Sequence, residues 1–218
     1  MSLTLYFHPL SSFCQKVLIA LYENDTPFES RLVDLTNETS RAEFLKVWPI
    51  GQFPVLHDSK DDRTIPESTI IIEYLAQHYP GKTRLLPADP DQARQTRMRD
   101  RFYDLHVHLL MQKIVGDRLR PTGGHDPHGV ADARTRMTTA LGMIDRDMAE
   151  KRWAMGDDFT MADCAAAPAL YYANLVQPFA DTHKNVARYF ERLLARPSFA
   201  RAVKEADPYR HLFPAHQT

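Results

Sequence analysis

A small α/β domain followed by an all-helical one is the fold class this sequence predicts, and three observations carry the prediction. Charge is unevenly divided: residues 1–80 hold 6 Lys or Arg against 11 Asp or Glu, a net of −5, and since the whole chain is −1 the remainder is +4. Pro80, Gly81, Pro87 and Pro90 crowd the stretch between the two parts, where prolines deny a helix its donors and mark a linker. Hydrophobic patterning also changes there: before it both strand and helix periods occur, and after it only the helical one. The expected boundaries are 1–80, a linker at 81–92, and 93–218.

In the first part, TLYFH alternates as a strand, and Val17, Leu18 and Leu21 fall at helical spacing between Phe13 and Asn24. FESRLVDL reads as a second strand and FPVLHD as a third. A turn around Ser59–Asp62 leads to a short fourth at Thr64–Ile65, and STIIIEYLAQHY closes the unit as a helix. The order βαβ then ββα implies a mixed four-stranded sheet. In the second part, the segments 92–120, 131–151, 162–176 and 186–196 carry helical patterning. Thr160 is a good N-cap for the third of these, with Asp163 placed to complete a capping box.

Lys+Arg 27 against Asp+Glu 28 is a flat charge balance, which argues against a dedicated nucleic-acid or membrane binder. The run ARQTRMRDR mixes acids with its arginines and reads as a solvated helix face or part of a dimer contact. Two cysteines, Cys14 and Cys164, make no disulfide framework or thiolate zinc site. His106 and His108 stand two apart on a helix and face different ways; together with His125 and His128 they make a poor ligand set, so no metal is expected. The N-terminus has no Lys or Arg before Lys16 and no long apolar segment, so neither leader nor anchor is expected and the cytoplasm is the expected location.

Three short motifs have chemical possibilities beside structural ones. His8-Pro9-Leu10-Ser11-Ser12-Phe13-Cys14 delivers hydroxyls and a thiol to a helix N-terminus, where a serine either caps the helix or donates a hydrogen bond to a ligand thiolate. Phe53-Pro54 opens a strand, where a proline costs no ladder donor; an ordinary trans bond is the plain expectation, and a cis bond would turn the Phe53 backbone toward a peptide ligand. Glu67-Ser68 precedes an apolar helix, where Ser68 can cap, or the pair can hold the carboxylate and amino group of an amino-acid headgroup.

In this order and spacing, SSFCQKVLIALYENDTPFE, FLKVWPIGQFPVL, IPESTIIIEYLAQHYPG and DDFTMADCAAAP together resemble the cytosolic glutathione transferase family, in its serine-type, theta- or zeta-like bacterial form, over nearly the whole chain. Two departures limit the subclass. SSFCQKV is not the SSC-x-W-R-V of zeta-class isomerases, and Trp48-Pro49 stands where Asn-Pro is common.

The resemblance implies a thioredoxin-like first domain and a helical second one, with glutathione as substrate, no metal or redox cofactor, and a role in detoxification. It implies that Pro54 is cis, that the Phe53 backbone pairs with the cysteinyl unit, and that Glu67 and Ser68 hold the γ-glutamyl end, with Gln52 toward the glycine end and Arg41 or Lys46 as further candidates. Ser11 aligns with the hydroxyl that stabilises the thiolate, Ser12 being the runner-up. Tyr6 lies within the first strand and reads as a packing residue, and Cys14 reads as buried behind the turn. Leu10, Tyr103, His106 and Met111 are expected to line the pocket for a small hydrophobic electrophile, and a homodimer is expected. A glutathione-dependent peroxidase or thiol transferase, and a non-catalytic ligand-binding or interaction protein, are the alternatives on the same fold.

Overall fold

The computed structural model describes residues 2–214. The first domain is built from β1 (Leu3–Phe7), α1 (Ser12–Glu23), β2 (Glu29–Leu32), α2 (Glu38–Val47), β3 (Val55–Asp58), β4 (Arg63–Pro66) and α3 (Ser68–His78). The sheet order is β2-β1-β3-β4, with β1 parallel to β2 and antiparallel to β3, and β3 antiparallel to β4. This is the mixed four-stranded sheet expected. The alternation of TLYFH divides its side chains between two faces. Leu3, Leu5 and Phe7 are buried with Val17, Leu18 and Leu21 of α1 and Ile71 and Ile72 of α3, whereas Tyr6 packs with Phe44, Val55 and Val33 on the other side.

Helix α2 has no counterpart among the expected elements, and burial explains why. Among its residues only Phe44 is buried, so there is no apolar stripe to reveal the period. What starts it is polar: Asn37 accepts a hydrogen bond from the Ser40 N–H at 3.0 Å, and Glu38 lies in the first turn. Strand β2 is shorter than FESRLVDL and exposed throughout. It is an edge strand, and Val33, just beyond it, donates its N–H to Phe7 O and turns its side chain inward.

The second domain comprises α4 (Pro90–Tyr103), α5 (Leu109–Arg118), α6 (Pro127–Asp147), α7 (Met161–Val176), α8 (Lys184–Leu194) and α9 (Pro197–Ala206), followed by a 3₁₀ segment at Asp207–Leu212. The expected linker gives up its last residues to α4: Asp89 caps the helix by accepting from the Gln92 N–H, and Pro90 occupies the first turn, where its missing donor costs nothing. The segment expected as one helix over 92–120 is two, joined by a π-helical turn at Asp104–His108. Helix α7 is buried on nearly every side from Met161 to Leu170 and forms the centre of the domain. Its capping box is made as expected: Asp163 accepts from the Thr160 N–H at 2.9 Å and further binds the Ala154 N–H and the Tyr189 hydroxyl. Helix α9 is additional to the helical segments expected.

Two buried ionic contacts tie the domains together, both through α1. Lys16 is 1% exposed and ion-paired with Asp100 at 2.7 Å and Asp104 at 2.9 Å. At the other end of the helix, Glu23 receives both arms of the Arg196 guanidinium at 2.7 and 2.6 Å, from the turn that starts α9. Such pairs add little net stability, but removing one partner strands the other charge and costs about 3–5 kcal/mol.

Candidate active site

The loop after β1 places two serines at the start of α1, and the structure gives them different employment. Ser11 is the N-cap, its Oγ accepting from the Cys14 N–H at 3.4 Å. An accepted bond leaves the hydroxyl proton free, so Ser11 caps and can still donate. Ser12 is buried, its Oγ 2.9 Å from His108 Nε2. His108 is pushed down to about 3 by burial, with the Lys16 charge adding to it, and is therefore neutral at physiological pH. Its Nδ1 has no hydrogen-bond partner among the described residues. Cys14 is fully buried and its thiol is pushed up to about 12 by that burial, which removes thiolate chemistry from it.

Two cavities meet at Phe53. The first, of about 410 Å³, is lined by Gln52, Phe53, Pro54, Glu67 and Ser68, together with Trp48 and residues of the π-helical turn. The Phe53–Pro54 bond is cis, and neither the N–H nor the C=O of Phe53 has a partner among the described residues. Glu67, with φ of +71°, starts α3 and forms no side-chain cap. The first-turn N–H groups of α3 therefore stay available to a carboxylate, with the positive end of the helix dipole behind them. Asp104 also lines this cavity and stands between Lys16 and Arg101, 3.6 Å from the latter.

The second cavity, of about 510 Å³, is mostly apolar. Leu10, Met111 and Phe213 line it along with Ser11, Ser12 and His108, and Phe53 belongs to both spaces. His8 stands beside them, its ring stacked on Phe53 and edge-on to Tyr209 of the 3₁₀ segment.

Two residues expected in the electrophile pocket lie elsewhere. Tyr103 is 2% exposed and belongs to the core of the helical domain, where its hydroxyl meets that of Tyr189. His106 is exposed and packs on Phe102. For His106 the cause is the π-helical turn, which widens the helix locally and changes the direction in which its residues face. Val107 and His108 face inward and His106 outward. His108, weighed from the sequence only as part of a poor metal-ligand set, is the buried polar residue the structure adds to the second cavity, and no local signal marks that place: its partner is 96 positions away. Arg41 and Lys46 are exposed on α2 and line neither cavity, and Trp48 occupies that edge of the first one. The Tyr6 ring packs 6.0 Å from that of Phe44. No cluster of three or more His, Cys, Asp or Glu able to hold a metal occurs among the described residues, and none of their helices is long and apolar enough to cross a membrane.

Comparison with known proteins bears on this arrangement. Residues 5–83 match the glutathione S-transferase N-terminal domain, and residues 127–192 match the C-terminal domain. Glutathione S-transferase 3 of Zea mays is 31% identical over 210 residues, covering 92% of this chain and 93% of its own. The chain belongs to the glutathione S-transferase family. Among solved structures, a glutathione S-transferase of Methylobacterium radiotolerans in complex with glutathione sulfonate is 28% identical, covers 99% of this chain and 96% of its own, and superposes with a TM-score of 0.79. A glutathione S-transferase of Methylobacillus flagellatus with GSH bound has a TM-score of 0.85 at 24% identity, covers 92% of this chain and 98% of its own, and is a likeness of fold. The thioredoxin-like first domain and helical second domain of the glutathione S-transferases are thus those of this chain. Its two cavities lie on either side of Phe53, where the domains face each other.

Proposed function

We propose that this glutathione S-transferase binds glutathione in the first cavity and conjugates it to a small apolar electrophile held in the second, with Ser11 donating its hydroxyl proton to the thiolate. The observation that carries the proposal is the junction at Phe53. An uncapped helix start and a free backbone pair suit a peptide on one side, and on the other lies an apolar space with the Ser11 and Ser12 side chains in its wall. A hydrogen bond to the charged form of a thiol lowers its pKa and raises the thiolate fraction. The glutathione thiol gives its proton to solvent, its sulfur attacks the electrophilic carbon, and the leaving group departs with the bonding pair or the electrons pass into a conjugated acceptor.

Ser12 is the second reading for the activating hydroxyl, favoured by its bond to His108. If His108 donates through Nε2, the Ser12 proton is free to turn toward the sulfur. Titration of glutathione by calorimetry into wild type and Ser11→Ala, with the ultraviolet absorbance of bound thiolate recorded at neutral pH, separates the two. Ser11 as donor requires Ser11→Ala to lose the thiolate signal and roughly 10²–10³-fold in kcat, with affinity within a few-fold. Retention of the signal in Ser11→Ala and its loss in Ser12→Ala transfers the role to Ser12, and absence of glutathione binding to wild type refutes the transferase reading. The proposal includes a cytoplasmic homodimer, with exposed Ile70 of α3 and Met98 of the arginine-rich α4 at its interface. A sedimenting monomer at micromolar concentration would exclude the dimer.

A further inference from the structure

A third cavity, of about 180 Å³, shares a wall with the second: Leu10, Tyr172 and Phe213 line both. The rest of its lining is Gln15 of α1, Tyr171 and Leu175 of α7, Val203 and Ala206 of α9, and Arg210, whose guanidinium pairs with Asp207 at 2.8 Å. Gln15 is 0% exposed. Its Nε2 donates to Pro9 O at 2.9 Å and to the Tyr172 hydroxyl at 3.2 Å, while Tyr172 donates its own proton to Leu10 O at 2.7 Å. These bonds fix which way the amide points, since a carbonyl such as Pro9 O can only accept. With the Tyr172 proton committed to Leu10, the Gln15 Oε1 acceptor is left without a donor, and it has none among the described residues.

We propose that this rear cavity is a binding site for a small apolar ring compound with one hydrogen-bond donor, and that its occupant acts on the loop carrying Ser11. Size and lining set the first part: about 180 Å³ is room for a benzene-sized guest, and apart from Gln15 and Arg210 the wall is aliphatic and aromatic. The orphaned acceptor sets the second, because a buried amide oxygen gains most from a guest that brings an N–H or O–H. The loop supplies the third. The carbonyls of Pro9 and Leu10, immediately before Ser11, are held by Gln15 and Tyr172, and both of those side chains stand in the wall of the rear cavity. A guest that engages Gln15 therefore biases the clamp on the serine, with an effect limited by its differential affinity for the clamped and relaxed loop.

The proposal stands apart from the glutathione reading because binding alone tests it. The full-length protein is titrated with indole and with indene, which has the same bicyclic frame and no N–H, and amide NMR shifts are followed. Saturable indole binding is expected, with shifts at Gln15, Val203 and Ser11, and with indene about tenfold weaker, the loss of one hydrogen bond to a buried acceptor. Filling the space by Val203→Phe is expected to weaken indole at least about tenfold. Leu175→Trp, at a half-exposed position, is the second filling variant if Val203→Phe does not fold. Unsaturable binding, indole affinity unchanged in a folded filling variant, or shifts centred on Met111 would overturn the site. Equal binding of indene would overturn the role of Gln15, and an unmoved Ser11 amide would overturn the coupling.

Discussion

The two cavities on either side of Phe53 are assembled in different ways. Most of the first comes from chain segments close together in sequence, residues 48–54 and 67–70, and to polar side chains such as Gln52, Glu67 and Ser68 it adds backbone groups: a free N–H and C=O at Phe53 and the open start of α3. The second is gathered from far apart, with Leu10, His108, Met111, Tyr172 and Phe213 arriving from distant stretches of the chain. Backbone groups in the first cavity tolerate side-chain change and suit a constant ligand, while a wall of distant side chains can be remodelled residue by residue. The difference matches a site in which one substrate is common to the family and the other is particular to the member.

Several substitutions would break or sharpen that contrast. His108 is the titrating group built into the second cavity, and its pKa is held far below the ordinary 6.5. Between those two values the unfolded chain binds the proton and the folded one does not, so stability falls as pH drops from about 6.5 toward 3. Wild type is expected to lose up to about 3 kcal/mol from this group by about pH 4, a loss absent from His108→Gln. Parallel denaturant-unfolding curves of the two proteins across that range would contradict it.

Smaller effects distinguish the cavities themselves. Ser68→Ala, in the first, should raise the glutathione Kd about tenfold and leave kcat at saturation nearly unchanged, as read by calorimetry and steady-state rates. Met111→Ala, in the second, should change the electrophile KM by about three- to tenfold and leave the glutathione Kd alone. If both variants shift both constants, the two spaces do not act separately. Tyr103→Phe has the least effect on turnover: it should cost about 1 kcal/mol of stability and leave both constants unmoved, since its hydroxyl serves the helical core.

Much of the fold is legible in the residues alone. The strands of the mixed sheet, α1 and α3 show themselves because most of them bury one face, and alternation or 3.6-residue spacing records that burial. The capping box of Thr160 and Asp163 is legible because it is local. Helix α2 is hidden because a helix held down by Phe44 alone has no stripe. In the candidate site, Ser11, Phe53, Pro54, Glu67 and Ser68 sit at element starts, where turn chemistry alone reads caps and an ordinary proline; the family resemblance is what marks them as site residues.

What the sequence by itself determined is therefore what short-range physics writes into a pattern: the two-part organisation, the sheet and the capped helices. The tertiary structure alone decided which helical side chains face the second cavity. A π-helical turn at Asp104–His108 places His108 inward and His106 outward, and such a turn is stabilised by long-range partners, Lys16 for Asp104 and Ser12 for His108. Those partners are 88 and 96 residues distant, beyond the reach of any periodicity. The energy that selects the turn comes from contacts that exist only once the chain has folded.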